Sequence, residues 1–215
     1  MQICDSVTIL KDGSYVDTMP IENVTKDSLI QMMVGRPATD IYNIRHFDTD
    51  EELLRVENFS DSKHFKNINF TLHKGEILGF AGLVGAGRSE VMRAIFGLDP
   101  ISSGSVYLNG REVHIKNTRD AINYGIAMVN EDRRAYGLVL GRSIHHNVSL
   151  VNLKKYTKGL IDDRKISKDV EKMRELLQIK IANEDVEAGT LSGGNQQKVV
   201  LAKWLVGDGK VMILD

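Results

Sequence analysis

Cysteine is nearly absent: Cys4 is the only one in 215 residues, which excludes an intramolecular disulfide framework and fits a reducing compartment. Cys4 itself reads as an ordinary small apolar residue. An excess of either charge is lacking too. The 28 Lys and Arg against 29 Asp and Glu give a formal net charge of −1, so the totals carry no electrostatic footprint for nucleic acid. No long hydrophobic run occurs. The longest, from Ile77 to about Gly87, falls short of the ~20 residues a bilayer span needs. The opening MQICDSVTILKDG contains Asp5 and no extended apolar core, so it does not read as a secretory signal. Internal repeats and low-complexity stretches are absent. What is there is an ordinary soluble composition, 42% hydrophobic and 27% charged. The length suits one large domain, or one domain with an appendage. Any membrane role has to come through a partner.

Patterning then divides the chain. Ser6–Leu10 and Ser14–Thr18 flank a Lys11–Asp12–Gly13 turn, a hairpin signal. Thr25–Val34 reads as a helix with Thr25 as N-cap and Leu29, Ile30, Met32 and Met33 as its apolar face. Residues 36–52 turn polar, with Pro37 and an acidic run from Asp48 to Glu52. They read as a solvated linker between an appendage, residues 1–35, and a main domain, residues 53–215. Within the main domain, Leu54–Phe59, Ile68–Leu72 and Glu76–Phe80 read as strands, and Ser89–Phe96 as a helix stopped by Gly97. Val106–Leu108 and Val113–Ile115 flank Asn109–Gly110, the strongest short hairpin signal. Asp162–Gln178 reads as an amphipathic helix with Val170, Met173, Leu176 and Leu177 inward. A helix from about Asn195 to Val206 and a buried strand, Val211–Leu214, complete an α/β pattern.

The segment Gly82–Ser89 reads GLVGAGRS and matches the phosphate-binding loop GxxxxGK[ST] at every position except Arg88, which stands where lysine is expected. Glycines at 82, 85 and 87 let backbone N–H groups approach phosphate oxygens, and the helix that follows adds its positive end. Ser89 stands where the motif's hydroxyl ligates Mg²⁺. Arginine keeps the charge but replaces a compact ammonium with a planar fork. On its own such a stretch also serves as a plain tight turn.

A second motif decides between the two. Leu191–Lys198 reads LSGGNQQK, which resembles the LSGGQ signature of ATP-binding cassette (ABC) proteins, with Asn195 in place of glutamine. The spelling is similar to that of the fused, two-cassette ATPases of bacterial sugar import (ribose, galactoside or xylose type). Ser192 can cap the next helix, and Gly193 and Gly194 leave its N–H groups uncovered. Val211–Leu214 followed by Asp215 resembles the Walker B strand. GLDPISSGSVYLNGREV and MVNEDRRAYGLVLGRSIHHNVSL resemble the segments between these motifs. In the latter, Glu131 stands where most cassettes carry the glutamine of the Gln-loop; its bland alternative is an exposed loop acid. Residues 1–35 resemble the end of a preceding cassette, so the chain resembles the tail of cassette one, a linker and an incomplete cassette two.

The resemblance implies a P-loop NTPase fold of ABC type with an antiparallel β subdomain and a helical subdomain. It implies ATP and Mg²⁺ as cofactors, with Gly82, Gly85, Ala86, Gly87, Arg88, Ser89 and Glu90 on the nucleotide, Ser89 and Asp215 on the metal, and Asp215 and Glu131 in catalysis. Leu191, Ser192, Gly193, Gly194 and Asn195 then serve the nucleotide of the facing cassette. The implied partners are a transmembrane permease, the first cassette and, indirectly, a sugar-binding protein, at the cytoplasmic face of the plasma membrane. Phe59 and Phe65 are candidates for stacking on adenine, though each reads first as core. The six histidines read as surface or structural groups. Two rival classes stay open: a soluble ABC protein acting on nucleic acid or ribosomes, and a catalytically silent module.

Overall fold

Hairpin chemistry sets the first elements of the computed structural model, which describes residues 4–11, 13–34 and 50–215. β1 (Ser6–Lys11) and β2 (Ser14–Pro20) pair antiparallel, with an irregularity between Ile9 and Leu10. Helix α1 (Lys26–Val34) follows. Its start is a reciprocal cap: Ser28 N donates to Thr25 Oγ1 (3.1 Å) and Thr25 N to Ser28 Oγ (3.0 Å). Leu29, Ile30 and Met32 are half-buried, but Met33 is exposed, so the expected apolar face is narrower by one residue. Asp12 of the expected turn and residues 36–49 of the expected linker lie outside the described residues. The chain divides into two units, residues 1–48 and 49–215.

In the second unit, β3 (Glu52–Ser60) pairs antiparallel with β4 (Ile68–His73) on one side and β5 (Ser103–Leu108) on the other. β6 (Arg111–Val113) extends the sheet. Asn109 and Gly110 both have positive φ, 48° and 73°, as the two-residue turn between β5 and β6 requires. β6 stops at Val113 rather than Ile115, because the chain there turns into α3 (Thr118–Asn123), capped by Asn117 through Asp120 N. Leu54, Val56, Phe59, Val106 and Leu108 bury against α2 (Arg88–Ile95) and a parallel pair, β7 (Ile126–Val129) with β10 (Val211–Leu214). β7 is buried along its whole length, as a parallel strand covered on both faces should be.

Helices form a second core. α4 (Ile144–Ser149), the short α5 (Leu153–Tyr156), α6 (Asp163–Leu177) and α7 (Gly193–Leu205) pack around Ile144, Val148, Ile166, Val170 and Val199. A hairpin of β8 (Thr157–Lys158) and β9 (Leu160–Ile161) joins α5 to α6. On α6 the inward residues are Ile166, Val170 and Met173, with Leu177 partly buried. Leu176, expected inward, is 64% exposed: at ~100° per residue it lies off the stripe that 166, 170, 173 and 177 share. Trp204 of α7 belongs to both cores and meets Phe96 edge-on at 5.7 Å.

Glu76–Phe80 is the main departure. No strand forms there, and Ile77 is 97% exposed. An apolar run becomes a strand only where a neighbour takes its N–H and C=O groups. Among the described residues none pairs with this segment, since the parallel sheet is β7 and β10 alone.

Candidate active site

The glycine-rich loop rises from that irregular segment and enters α2. Ala86 N closes it on Leu83 O (3.1 Å). Gly87 is the N-cap of α2 in a left-handed conformation, φ 86°. A Cβ there would lie 3.0 Å from the carbonyl of His64, so two separate reasons demand glycine. No side chain caps the first turn of α2, which leaves its N–H groups for a ligand. Arg88 is exposed, with its stem lying back over Gly82: a Cβ at 82 would meet Arg88 Cδ at 3.5 Å. Gly85 is open on its outer side.

Two residues 126 positions apart meet at the foot of this loop. Ser89 Oγ donates to Asp215 Oδ1 at 2.7 Å. The register of β10 on β7 brings this about, with Leu214 opposite Val129 and Asp215 N donating to Val129 O (2.9 Å). Glu131 leaves β7 at the same end of the sheet, where open α/β sheets bind their ligands. Ser89, Glu90, Glu131 and Asp215 thus line one cavity of about 550 Å³. A hydroxyl and a carboxylate side by side are hard oxygen donors of the kind Mg²⁺ takes alongside phosphate oxygens. They fit the ion. Among the described residues no cluster of three His, Cys, Asp or Glu forms a self-sufficient metal cage.

The rest of this cavity was not legible in the sequence. Asp61 accepts from the N–H groups of Lys63, His64 and Phe65 and from His64 Nδ1 (2.7 Å). Arg93 forks onto Asp99 through Nε (2.7 Å) and Nη2 (3.1 Å). Burial pushes the Asp61 carboxyl up, but its donors, Phe65 N–H foremost, outweigh that and hold it well below the usual carboxylate range. A group depressed in this way contributes stability above roughly pH 4, and the contribution is lost as the pH falls below that. Asp61→Ala should therefore lower the urea midpoint at pH 7, with the gap to wild type narrowing on acidification to pH 3. A gap independent of pH would show that the ionised carboxylate does not hold the loop.

Phe59 and Phe65 are both buried and stack on each other at 5.7 Å. With both rings in the core, the core reading holds for each. The signature residues lie elsewhere, at the start of α7 on the helical core, and are not brought to the Ser89–Asp215 cavity. Gly194 is exposed, with nothing within 4 Å of a Cβ placed there. The expected cap does not form. Ser192 is the N-cap of α7 but makes no side-chain cap bond, its Oγ instead accepting from Asn195 Nδ2 (3.1 Å). Asn195 Oδ1 accepts from Lys180 N (2.9 Å), so this side chain ties the signature to the loop after α6. His145 is largely buried beside Asp163 and Glu184, at 3.4 and 3.5 Å, and His146 Nδ1 meets Ser143 Oγ at 2.7 Å. Cys4 is exposed. No helix among the described residues is long and apolar enough to cross a membrane.

Comparison with known proteins agrees with this geometry. The ABC transporter family matches residues 65–215. The ribose import ATP-binding protein RbsA of Lactococcus lactis subsp. cremoris is 46% identical over 215 residues, covering 100% of this chain and 44% of that protein. RbsA of Lacticaseibacillus paracasei is 43% identical over 215 residues, covering 100% of this chain and 43% of its own length. The chain thus spans less than half the length of the curated relatives it matches. Among solved structures, cbiO1 from Clostridium perfringens, part of the ABC transporter complex cbiONQ, superposes with a TM-score of 0.62 at 22% identity, covering 77% of this chain and 66% of that one. The ATP-binding cassette MJ0796 bound to ADP and Pi does so with a TM-score of 0.63 at 20% identity, covering 76% and 73%. These likenesses establish the cassette fold, an antiparallel sheet and a helical subdomain around a P-loop core, and the family match establishes that the chain belongs to the ABC transporter family of ATP-binding proteins.

Proposed function

We propose that this chain is part of the ATP-binding subunit of a monosaccharide importer, coupling ATP binding and hydrolysis to sugar uptake. The observation that carries the reading is the Ser89–Asp215 contact beneath the glycine loop, in a chain 43–46% identical to ribose import ATP-binding proteins along its whole length. In this reading the loop's N–H groups and the α2 N-terminus hold the phosphates of ATP. Ser89 and Asp215 hold Mg²⁺, which neutralises charge on the phosphate oxygens. Glu131 faces the same cavity and stands for the residue that senses nucleotide and metal. Arg88 makes the site atypical, since its fork does not reproduce a lysine's reach.

The uncapped start of α7 points to a second task. Two cassettes facing head to tail would place Ser192–Gly194 against the terminal phosphate of a nucleotide held by the other. Residues 1–35 are then the end of that first cassette, 36–52 the linker and 53–215 the second. Nucleotide-driven closure passes through the Glu131 turn to a permease, with a sugar-binding protein acting from the far side. The subunit itself sits peripherally at the cytoplasmic face of the plasma membrane. A soluble ABC protein working on nucleic acid is the second reading, and a net charge of −1 speaks against it.

Reconstitution of the complete protein with its permease in liposomes tests the assignment: ATP-dependent uptake of ribose, galactose or xylose is expected. ATPase activity that responds to RNA or ribosomes and to no sugar would overturn it. Asp215→Asn should weaken Mg²⁺-dependent ATP binding at this cassette's own loop, because an amide replaces the carboxylate that Ser89 Oγ meets. ATP affinity in the presence of Mg²⁺ equal to that of wild type would contradict this.

A further inference from the structure

Lys203 is buried to 6% exposure inside the helical core. Its ammonium donates to the carbonyl of Gly137 and lies 5.6 Å from the centre of the Trp204 ring. Among the described residues no carboxylate pairs with it. Burial holds its pKa below the usual lysine value. As a device for stability this is a poor arrangement: a desolvated ammonium with one carbonyl recovers only part of its lost hydration. A methionine of similar length would fill the same space without that cost.

What Lys203 touches suggests its purpose. Gly137 closes a one-turn π-helix, Arg133–Gly137, that begins two residues after Glu131 and is capped by Asp132 through Arg134 N and Ala135 N. π turns are rare and recur at functional sites. This one runs along a single face of α7. At its start, Arg133 Nε donates to Oε1 of the fully buried Gln196 (3.3 Å), and a Cβ at Gly193 would lie only 2.8 Å from Arg133 Nη2. At its end, a Cβ on Gly137 would lie 3.0 Å from Val200 Cγ2, and Lys203 takes the Gly137 carbonyl. Residues 193, 196, 200 and 203 fall on one helical stripe. The contacts therefore run from the glycines of the signature to the far end of the turn.

We propose that Lys203 and Arg133 are positioning residues, the two ends of a latch that fastens the Glu131 turn to α7, so that the signature glycines and Glu131 move as one body. The consequence for transport rests on the functional reading above; the latch itself does not. Once Gly193 and Gly194 close on a phosphate, the displacement of α7 is delivered through Gln196–Arg133 and Lys203–Gly137 to Glu131. The buried ammonium is kept for this mechanical link.

Two measurements separate the parts. Amide hydrogen exchange on the 215-residue chain should show Ala135–Leu138 exchanging at least ~10-fold faster in Lys203→Met, because local opening no longer breaks the latch. Exchange in α6 and the urea midpoint should stay at wild-type values or better. Arg133→Gln, at a half-buried position, should do the same at the start of the turn. In the complete protein each variant should lower the sugar-stimulated kcat by ~10-fold with KM for ATP unchanged, the split expected when ground-state binding is intact. Unchanged exchange at 135–138 would overturn the latch whatever transport does. A lowered midpoint with faster exchange everywhere would make Lys203 an ordinary structural group. Faster local exchange with normal kcat would retain the latch and overturn its role in coupling.

Discussion

Gly194→Asp should leave this chain slightly more stable than wild type while removing the sugar-stimulated ATPase of the complete protein by about 100-fold or more, the order seen when a phosphate- or oxyanion-binding backbone donor is lost. Both halves follow from the same surroundings. Gly194 lies in the first turn of α7 with nothing within 4 Å of its missing Cβ, so a side chain meets no protein atom. Replacing glycine within a helix and placing a carboxylate near its N-terminus are each favourable by roughly a few tenths to 1 kcal/mol. The open space is what a phosphate would occupy in the head-to-tail arrangement, and an aspartate there blocks it by bulk and by like charge. Arg88→Ala, on the exposed loop, should leave a substantial part of the activity. Denaturant midpoints for this chain and ATPase rates for the reconstituted complex provide the two readouts. Should Arg88→Ala prove the more damaging change, the productive nucleotide is the one on this cassette's own loop and not the one its signature would meet.

Phe59→Ala carries the largest expected cost in stability, about 3–5 kcal/mol. The ring is 1% exposed, stacked against Phe65 and packed in the core that backs the P-loop helix. Gly104 passes directly behind it, where a Cβ would stand 2.5 Å from Phe59 Cα, so the backbone there cannot easily settle inward to close the cavity. Chemical denaturation measures the cost. A residue that stacked on adenine would behave in the opposite way, weakening ATP binding with the midpoint unmoved, and that result would restore the base-contact role.

What could be read in advance was local chemistry. The Thr25 cap and the Asn109–Gly110 turn depend on a few adjacent residues, and each has a stereochemical cause that operates whatever surrounds it. The β7–β10 register that puts Asp215 on Ser89 pairs residues 85 positions apart, Val211 with Ile126 and onward. The two motifs suggested that meeting through a family resemblance; no periodicity could have done so. Failures trace to the same division. Glu76–Phe80 has strand composition but no partner among the described residues, and composition cannot supply one. Leu176 is apolar like Leu177, and only the helical angle sets it outside the buried stripe. The tie from Asn195 Oδ1 to Lys180 N is likewise a product of the fold that the motif alone does not announce. Asp61, His64, Arg93 and Asp99 gave no signal, since isolated polar residues become a cavity wall only when loops converge.

The unpaired apolar segment bears on how the protein must be handled. Among the described residues β10 pairs with β7 alone, and along it Met212 and Leu214 are exposed. Leu83 and Val84 on the glycine loop are exposed at 85% and 99%. A bare strand edge and uncovered aliphatic side chains are each a template for self-association. Concentrated samples should therefore form soluble assemblies that grow with protein concentration and with added sulfate, which strengthens apolar association. Light scattering on dilution would reveal this before any nucleotide-binding measurement is interpreted, because self-association that covers Leu83 and Val84 would also cover the loop meant to hold phosphate.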